Sequence, residues 1–265
     1  MPLLFFGSPK GGVGKTTVAA NVAAALAQLR YPVTALDLDP QNALRLHFGV
    51  PLNDTAGFAW ILAHPNGTPP WTAFLRQTQW GVNLLPFGDM DAHQAMTMST
   101  ALTRHPERLQ HILGQLLTDP RHIVVVDSPP GPSAALSAAL PYVDMLVCVL
   151  LADAISAAMI PGIEAGRAFG PGTQRGQEGG RLRYVLNQFD PGSRLSQATA
   201  AAMRAHLGPR LLGELRRDEA VAEAAATQWP LPFFAPGSAA ASDIMQITQA
   251  IAGAFGLAGH RNPTP

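Results

Sequence analysis

Lysine is nearly absent. Of the 18 basic residues in the 265-residue chain only two, Lys10 and Lys15, are lysines. Both stand in one stretch, Lys10-Gly11-Gly12-Val13-Gly14-Lys15-Thr16-Thr17. The richness in alanine, proline and arginine explains a general drift away from lysine. It does not explain why both survivors fall within eight residues. A compact ammonium on a flexible stem serves a purpose there that a planar guanidinium cannot.

Cysteine is as scarce. The one cysteine, Cys148, lies in the apolar run 145–151. It excludes an internal disulfide, and a zinc or iron–sulfur centre built from this chain alone. It reads as a small buried hydrophobe in a reducing, cytoplasmic compartment. The formal net charge is zero, so no whole-chain field favours nucleic acid or an anionic membrane. No apolar run approaches the ~20 residues of a spanning helix. Residues 2–6 are too short for a signal-peptide core and lack a basic segment before them. The expectation is a cytoplasmic protein with no direct membrane insertion, polar or membrane-associated only through partners.

Short apolar runs alternate with helical patterns, which predicts an α/β fold: a doubly wound, mostly parallel sheet flanked by helices. Strands are predicted at 3–6, 33–38, 81–85, 123–126, 145–151, 182–186 and 211–215. Helices are predicted at 15–30, 106–117, 133–140, 154–168, 195–206, 218–226 and 238–255. The first rests on Val18, Val22, Leu26 and Leu29 at helical spacing. Segment 53–80 is irregular, and its tryptophans at 60, 71 and 80 suit either core or interface. The expected organisation is one domain over 1–259 with a disordered tail at 260–265.

The lysine-bearing stretch follows an apolar strand and opens a helix, the context of a phosphate-binding loop. Glycines at 11, 12 and 14 let the backbone, Val13 included, approach phosphates and turn its N–H groups inward. The helix N-terminus adds positive partial charge. Lys15 is suited to β/γ oxygens, the Thr16 hydroxyl to Mg²⁺, and Thr17 to the α-phosphate side. The ligand expected here is Mg·ATP. The pattern G-x-x-x-x-G-K-[ST] is not met in full, because Pro9 stands where its first glycine would be.

With its additional Lys10, the loop resembles the deviant Walker A of the ParA/MinD ATPases, within the SIMIBI class. Asp37-Leu38-Asp39-Pro40-Gln41 is similar to that family's switch I, and Val124-Val125-Val126-Asp127-Ser128-Pro129-Pro130-Gly131 to its Walker B and switch II. Asn187 resembles its adenine-reading asparagine. The resemblance implies that Asp127 holds Mg²⁺ through water, that Asp37 supports the metal shell, and that Asp39 positions or activates the attacking water. It implies that Lys10 reaches the partner's ATP across a homodimer interface, and that slow hydrolysis resets that dimer. From the residues alone, other readings stay open: Asp127 as a helix cap, Asp37 as a turn residue, Asn187 as an ordinary strand-end residue.

Four branches compete. Leu44-Arg45-Leu46-His47-Phe48-Gly49-Val50, the tryptophan segment to residue 80, Leu84-Leu85-Pro86-Phe87-Gly88 and Arg217-Asp218-Glu219-Ala220-Val221-Ala222-Glu223 resemble the BcsQ (YhjQ) branch. That implies support of bacterial cellulose biosynthesis, with cytoplasmic subunits of a cellulose synthase or secretion complex as partners. A ParA-type DNA or cargo partition ATPase is the alternative, with Arg204, Arg210, Arg216 and Arg217 as its basic surface; the neutral net charge does not favour it. A MinD-type membrane cycle needs a basic amphipathic C-terminal helix, and residues 247–257 carry no basic side chain. A reductase of the nitrogenase iron-protein kind needs clustered cysteines.

Overall fold

The strand Leu3–Gly7 (β1) is buried along its whole length. A residue run that is apolar without alternation suits a strand covered on both faces. The computed structural model describes residues 2–64, 69–170, 173 and 181–257. Around β1 lie β2 (Val33–Asp37), β3 (Arg76–Gln77), β4 (Val82–Leu85), β5 (Ile123–Asp127), β6 (Met145–Leu151), β7 (Leu182–Phe189) and β8 (Leu211–Arg216). Their order is β3-β4-β2-β5-β1-β6-β7-β8, and every pairing is parallel except β3 with β4.

The helices are α1 (Lys15–Gln28), α2 (Ala59–Ala63), α3 (Ala92–Arg104), α4 (Glu107–Leu116), α5 (Ala134–Ala139), α6 (Ala154–Glu164), α7 (Arg194–Leu207), α8 (Glu219–Ala226), α9 (Leu231–Phe234) and α10 (Ala239–Ala254). The two-residue period of the strands divides the core into two layers. Leu3, Phe5, Val124 and Val126 pack with α2 to α7, through residues such as Leu62, Met98, Ile112, Leu136, Ile160 and Met203. Leu4, Phe6, Ile123 and Val125 face the other way, onto Val18, Val22 and Leu26 of α1 and Ile244, Ile247 and Ile251 of α10. The register sets Asp37 and Phe6 each beside Asp127 at the carboxyl ends of neighbouring strands. In an open α/β sheet this edge is where ligands bind.

Most predicted elements are present with shifted ends. The helix predicted to reach residue 30 stops at Gln28, since Arg30 takes a left-handed φ of 67°. The helix predicted at 154–168 stops at Glu164, before left-handed Gly166. β7 runs three residues past the predicted 186. Helix α3 was not foreseen, although Asp91 and Gln94 form a capping box that is readable as D-x-x-Q. The two-residue β3 is too short to show a period. The predicted tail lies outside the described residues, as does most of the loop 170–180. Among the described residues no helix is long and apolar enough to cross a membrane.

Candidate functional site

The site is built where β1, β2 and β5 end and α1 begins. Gly12 and Gly14 adopt left-handed φ values of 76° and 80°, which only glycine adopts without cost. A side chain at Gly14 would also collide with the Asn187 amide. Gly14 is the N-cap of α1 and offers no side chain to the first turn. The leading N–H groups of a 14-residue helix are therefore left without a side-chain acceptor, an arrangement that attracts anions.

Lys15 is buried, and its Nζ donates to Asp127 Oδ1 at 2.7 Å. It also stands 3.7 Å from Asp39 Oδ2. The Thr16 hydroxyl donates to the other Asp127 oxygen at 2.6 Å. Lysine, threonine and the strand-end aspartate thus meet at one point, although 112 and 111 residues separate them in sequence. Asp37 is wholly buried. Its Oδ1 accepts from the Asp39 N–H at 2.9 Å and its Oδ2 from the Leu44 N–H at 3.1 Å. Burial, and then the neighbouring Asp127 charge, hold the Asp37 carboxyl well above the usual range. Asp39 is raised as well, chiefly by burial and against the pull of the Gln41 amide and Lys15.

Asp127 and Asp39 share one buried ammonium, and a divalent cation would offset the remaining negative charge. Among the described residues no three acidic, histidine or cysteine side chains converge as a ready-made cage. Mg²⁺ keeps several waters and takes few protein ligands besides phosphate oxygens. Thr16 and Asp127 are the residues here that could hold such an ion.

Lys10 lies elsewhere. Its Nζ is 3.4 Å from Asp153 Oδ2, and the two side chains are 27% and 40% exposed. Asp153 caps α6, its Oδ1 accepting from the Ser156 N–H at 2.7 Å. An aspartate before a helix is readable as a cap; its pairing with Lys10 is not. The loop is tied to the stretch after β5, since Gly131 N–H donates to the Ser8 carbonyl and Ser8 Oγ to the Lys10 carbonyl, both at 2.8 Å.

Asn187 Nδ2 donates to the Val13 carbonyl at 2.7 Å and its amide stands beside Gly14. Beside it a cavity of about 410 Å³ is lined by Gly14, Thr17, Asn187, Gln188, Arg216, Arg217, Asp218, Glu219 and the α8 face Val221, Ala222, Ala225. Gln188 was missed in the sequence. Of the four arginines considered as a basic surface, three are ion-paired. Arg204 meets Glu214 at 2.7 Å, Arg210 meets Glu164 at 2.6 Å, and Arg216 meets Asp243 at 2.6 Å. Arg217 has no ion-pair partner among the described residues. Buried Arg45, which the sequence offers only as part of the string 44–50, holds the stretch after β2. It donates to the Asn42, Pro51, Leu52 and Asp54 carbonyls and to the Asp89 carboxylate.

Comparison with known proteins gives a consistent picture. The family model for cellulose biosynthesis protein BcsQ matches residues 1–251. The cellulose biosynthesis protein BcsQ of Escherichia coli K12 is 28% identical over 249 residues, 93% of this chain and 92% of its own length. The virulence plasmid ParA family protein pGP5-D of Chlamydia psittaci is 26% identical over 260 residues, 95% of this chain and 94% of its own. Among solved structures, the septum site-determining protein MinD of Pyrococcus horikoshii, complexed with Mg-ADP, superposes with a TM-score of 0.74 at 21% identity. That match covers 97% of this chain and 98% of the other.

Proposed function

The chain belongs to the BcsQ family, a branch of the ParA/MinD ATPases, and from that premise we infer that it is an Mg²⁺-dependent ATPase whose hydrolysis resets a homodimer. The meeting of Lys15 and Thr16 on one Asp127 carboxylate, at an anion-attracting helix start, carries this reading. The N–H groups of residues 11–14 and the Lys15 ammonium grip β/γ oxygens, and Thr17 attends the α-phosphate side. Thr16 and Asp127 would hold Mg²⁺, and Asp37 would support that shell by fixing the backbone of residues 39 and 44. The ion, when bound, neutralises charge on the transferring phosphoryl group.

Asp39 positions the attacking water and takes its proton, so that a P–O bond to water forms as the bond to ADP breaks. Its raised pKa strengthens it as a base. Lys10 leaves Asp153 and reaches the partner's phosphates, adding positive charge at the transition state. The cellular role is support of cellulose biosynthesis, with the dimer assembling or localising cytoplasmic subunits of the synthase complex. DNA partition is disfavoured, because three of the four arginines it would use are already neutralised by carboxylates.

The test has two arms. Calorimetry should show ATP affinity that depends on Mg²⁺; its absence would end the ATPase reading. Pull-down with a non-hydrolysable ATP analogue should retain cellulose synthase subunits. Retention of DNA instead, with steep salt dependence, would move the chain to the partition branch.

A further inference from the structure

Asp89 stands four residues after β4 ends, outside the pairings of the sheet, yet its backbone is braced. Its N–H donates to the Thr55 carbonyl at 2.9 Å. The stretch before it accepts from the Phe58 N–H at Pro86 and from the Ala59 N–H at Phe87, both at 3.1 Å. Gly57 and Gly88 cross so closely that a Cβ on either would collide with the backbone of the other.

From this support the side chain reaches the loop that follows β2. Asp89 Oδ1 accepts from Asn42 Nδ2 at 2.9 Å and from Arg45 Nη2 at 3.1 Å. Asn42 is buried and left-handed, with φ of 49°, a conformation that asparagine tolerates better than most residues. Its N–H closes a turn on the Asp39 carbonyl at 2.9 Å. Its Oδ1 has no partner among the described residues, so the bond to Asp89 is what fixes this side chain. One turn therefore joins Asp89 to Asp39, whose carboxylate stands 3.7 Å from the Lys15 ammonium. Asp89 is 46% exposed, and an ion pair that open to solvent adds little to folding. Its hydrogen bonds bear on the geometry of the loop.

We propose that Asp89 is a positioning residue for hydrolysis, which holds Asn42 and so fixes the turn that aims the Asp39 carboxylate. The proposal rests on the reading of Asp39 as the group that positions the attacking water. A displacement of about 1 Å at such a group costs on the order of a hundredfold in rate. Asp89 bonds to none of the residues that grip the nucleotide. Its loss therefore falls on kcat and spares affinity.

The full chain is assayed for phosphate release from Mg·ATP. The same samples are titrated calorimetrically with a non-hydrolysable ATP analogue and sized by light scattering. Asp89→Ala should lower kcat on the order of tenfold to a hundredfold, with analogue affinity and the analogue-bound dimer unchanged. Asp89→Asn keeps an acceptor oxygen and should recover part of the rate. Asn42→Gly keeps the left-handed backbone and removes the amide. It should be as slow as Asp89→Ala, and the double variant no slower than the slower of the two. The proposal is overturned if Asp89→Ala turns over at the wild-type rate while Asp39→Ala is inactive. It is equally overturned if affinity or the dimer is lost in step with the rate, or if Asp89→Asn recovers nothing. These arms stand even where Asn42→Gly fails to fold. Normal turnover in Asp39→Ala removes the reading of Asp39 beneath the proposal, and a wild-type chain without Mg·ATP turnover removes the ATPase reading itself.

Discussion

Lys10 and Asp153 are joined within one chain, Nζ to Oδ2 at 3.4 Å across 143 residues of sequence. The reading above needs this ammonium on the partner's phosphates, so the intrachain pair and the dimer contact exclude each other. Burial pushes the Asp153 carboxyl up, but the Ser156 hydrogen bonds and the Lys10 charge outweigh it, and the net direction is down. A part-exposed pair of this kind contributes about 0–1 kcal/mol. It biases the lysine without locking it.

Asp153→Asn keeps an N-cap and removes the charge. With a non-hydrolysable ATP analogue it should tighten dimerisation by about thirtyfold at most, since each dimer breaks the pair in both protomers. Lys10→Ala should bind nucleotide normally and stay monomeric. Light scattering after size exclusion reads both. A Lys10→Ala dimer of normal affinity would remove the role in trans.

Asp39→Ala should keep ATP binding, stop turnover and accumulate the dimer. Wild-type turnover should decline as pH falls through the raised Asp39 pKa, because the base is then protonated. Phosphate release across a pH series, set beside scattering of the variant, tests this. Normal turnover in Asp39→Ala would mean that the water is activated elsewhere.

The extent to which the site is legible in the sequence follows from how local its causes are. The loop around Lys15 could be read because strand, glycines and helix are consecutive. Asp127 could be read because a carboxylate ending an apolar strand reaches the same edge in any parallel sheet. The partners of Lys10 and Arg216 could not, since both pairs depend on how distant elements pack. In the segment with three tryptophans Phe58 and Leu62 are core, Trp71 and Trp80 pack against the core partly buried, and Trp60 is 42% exposed. Gln188 escaped notice because a left-handed residue inside a strand has no signature in composition.

Packing beneath β8 is tight at one point. A Cβ on Gly213 would lie 2.7 Å from Ile247 Cγ1. Gly213→Ala should therefore cost about 1–3 kcal/mol in urea denaturation, the usual penalty for overpacking. Ile247→Ala alone should also destabilise, by leaving a cavity. The double variant should be more stable than the sum of the two losses, since each relieves the other. Strict additivity would mean that the backbone yields at Gly213 without touching Ile247.

His47 is a buried imidazole whose pKa burial lowers to about 4. It binds fewer protons in the folded chain than in the unfolded one, where its value is near 6.5. Stability from this group is therefore complete above about pH 6.5 and is lost progressively down to about 4. His47→Met fills similar space and does not titrate. Subtracting the two denaturation curves cancels the remaining ionisable groups. Moving from pH 7.5 to pH 5 should shift the difference by about 2 kcal/mol in favour of the variant. The residue lies three positions after Leu44, whose N–H holds Asp37. In the fold it stays mostly neutral at pH 5, so over this range ATP affinity should change no more in wild type than in His47→Met. A difference that stays constant with pH would show that His47 ionises freely in the fold.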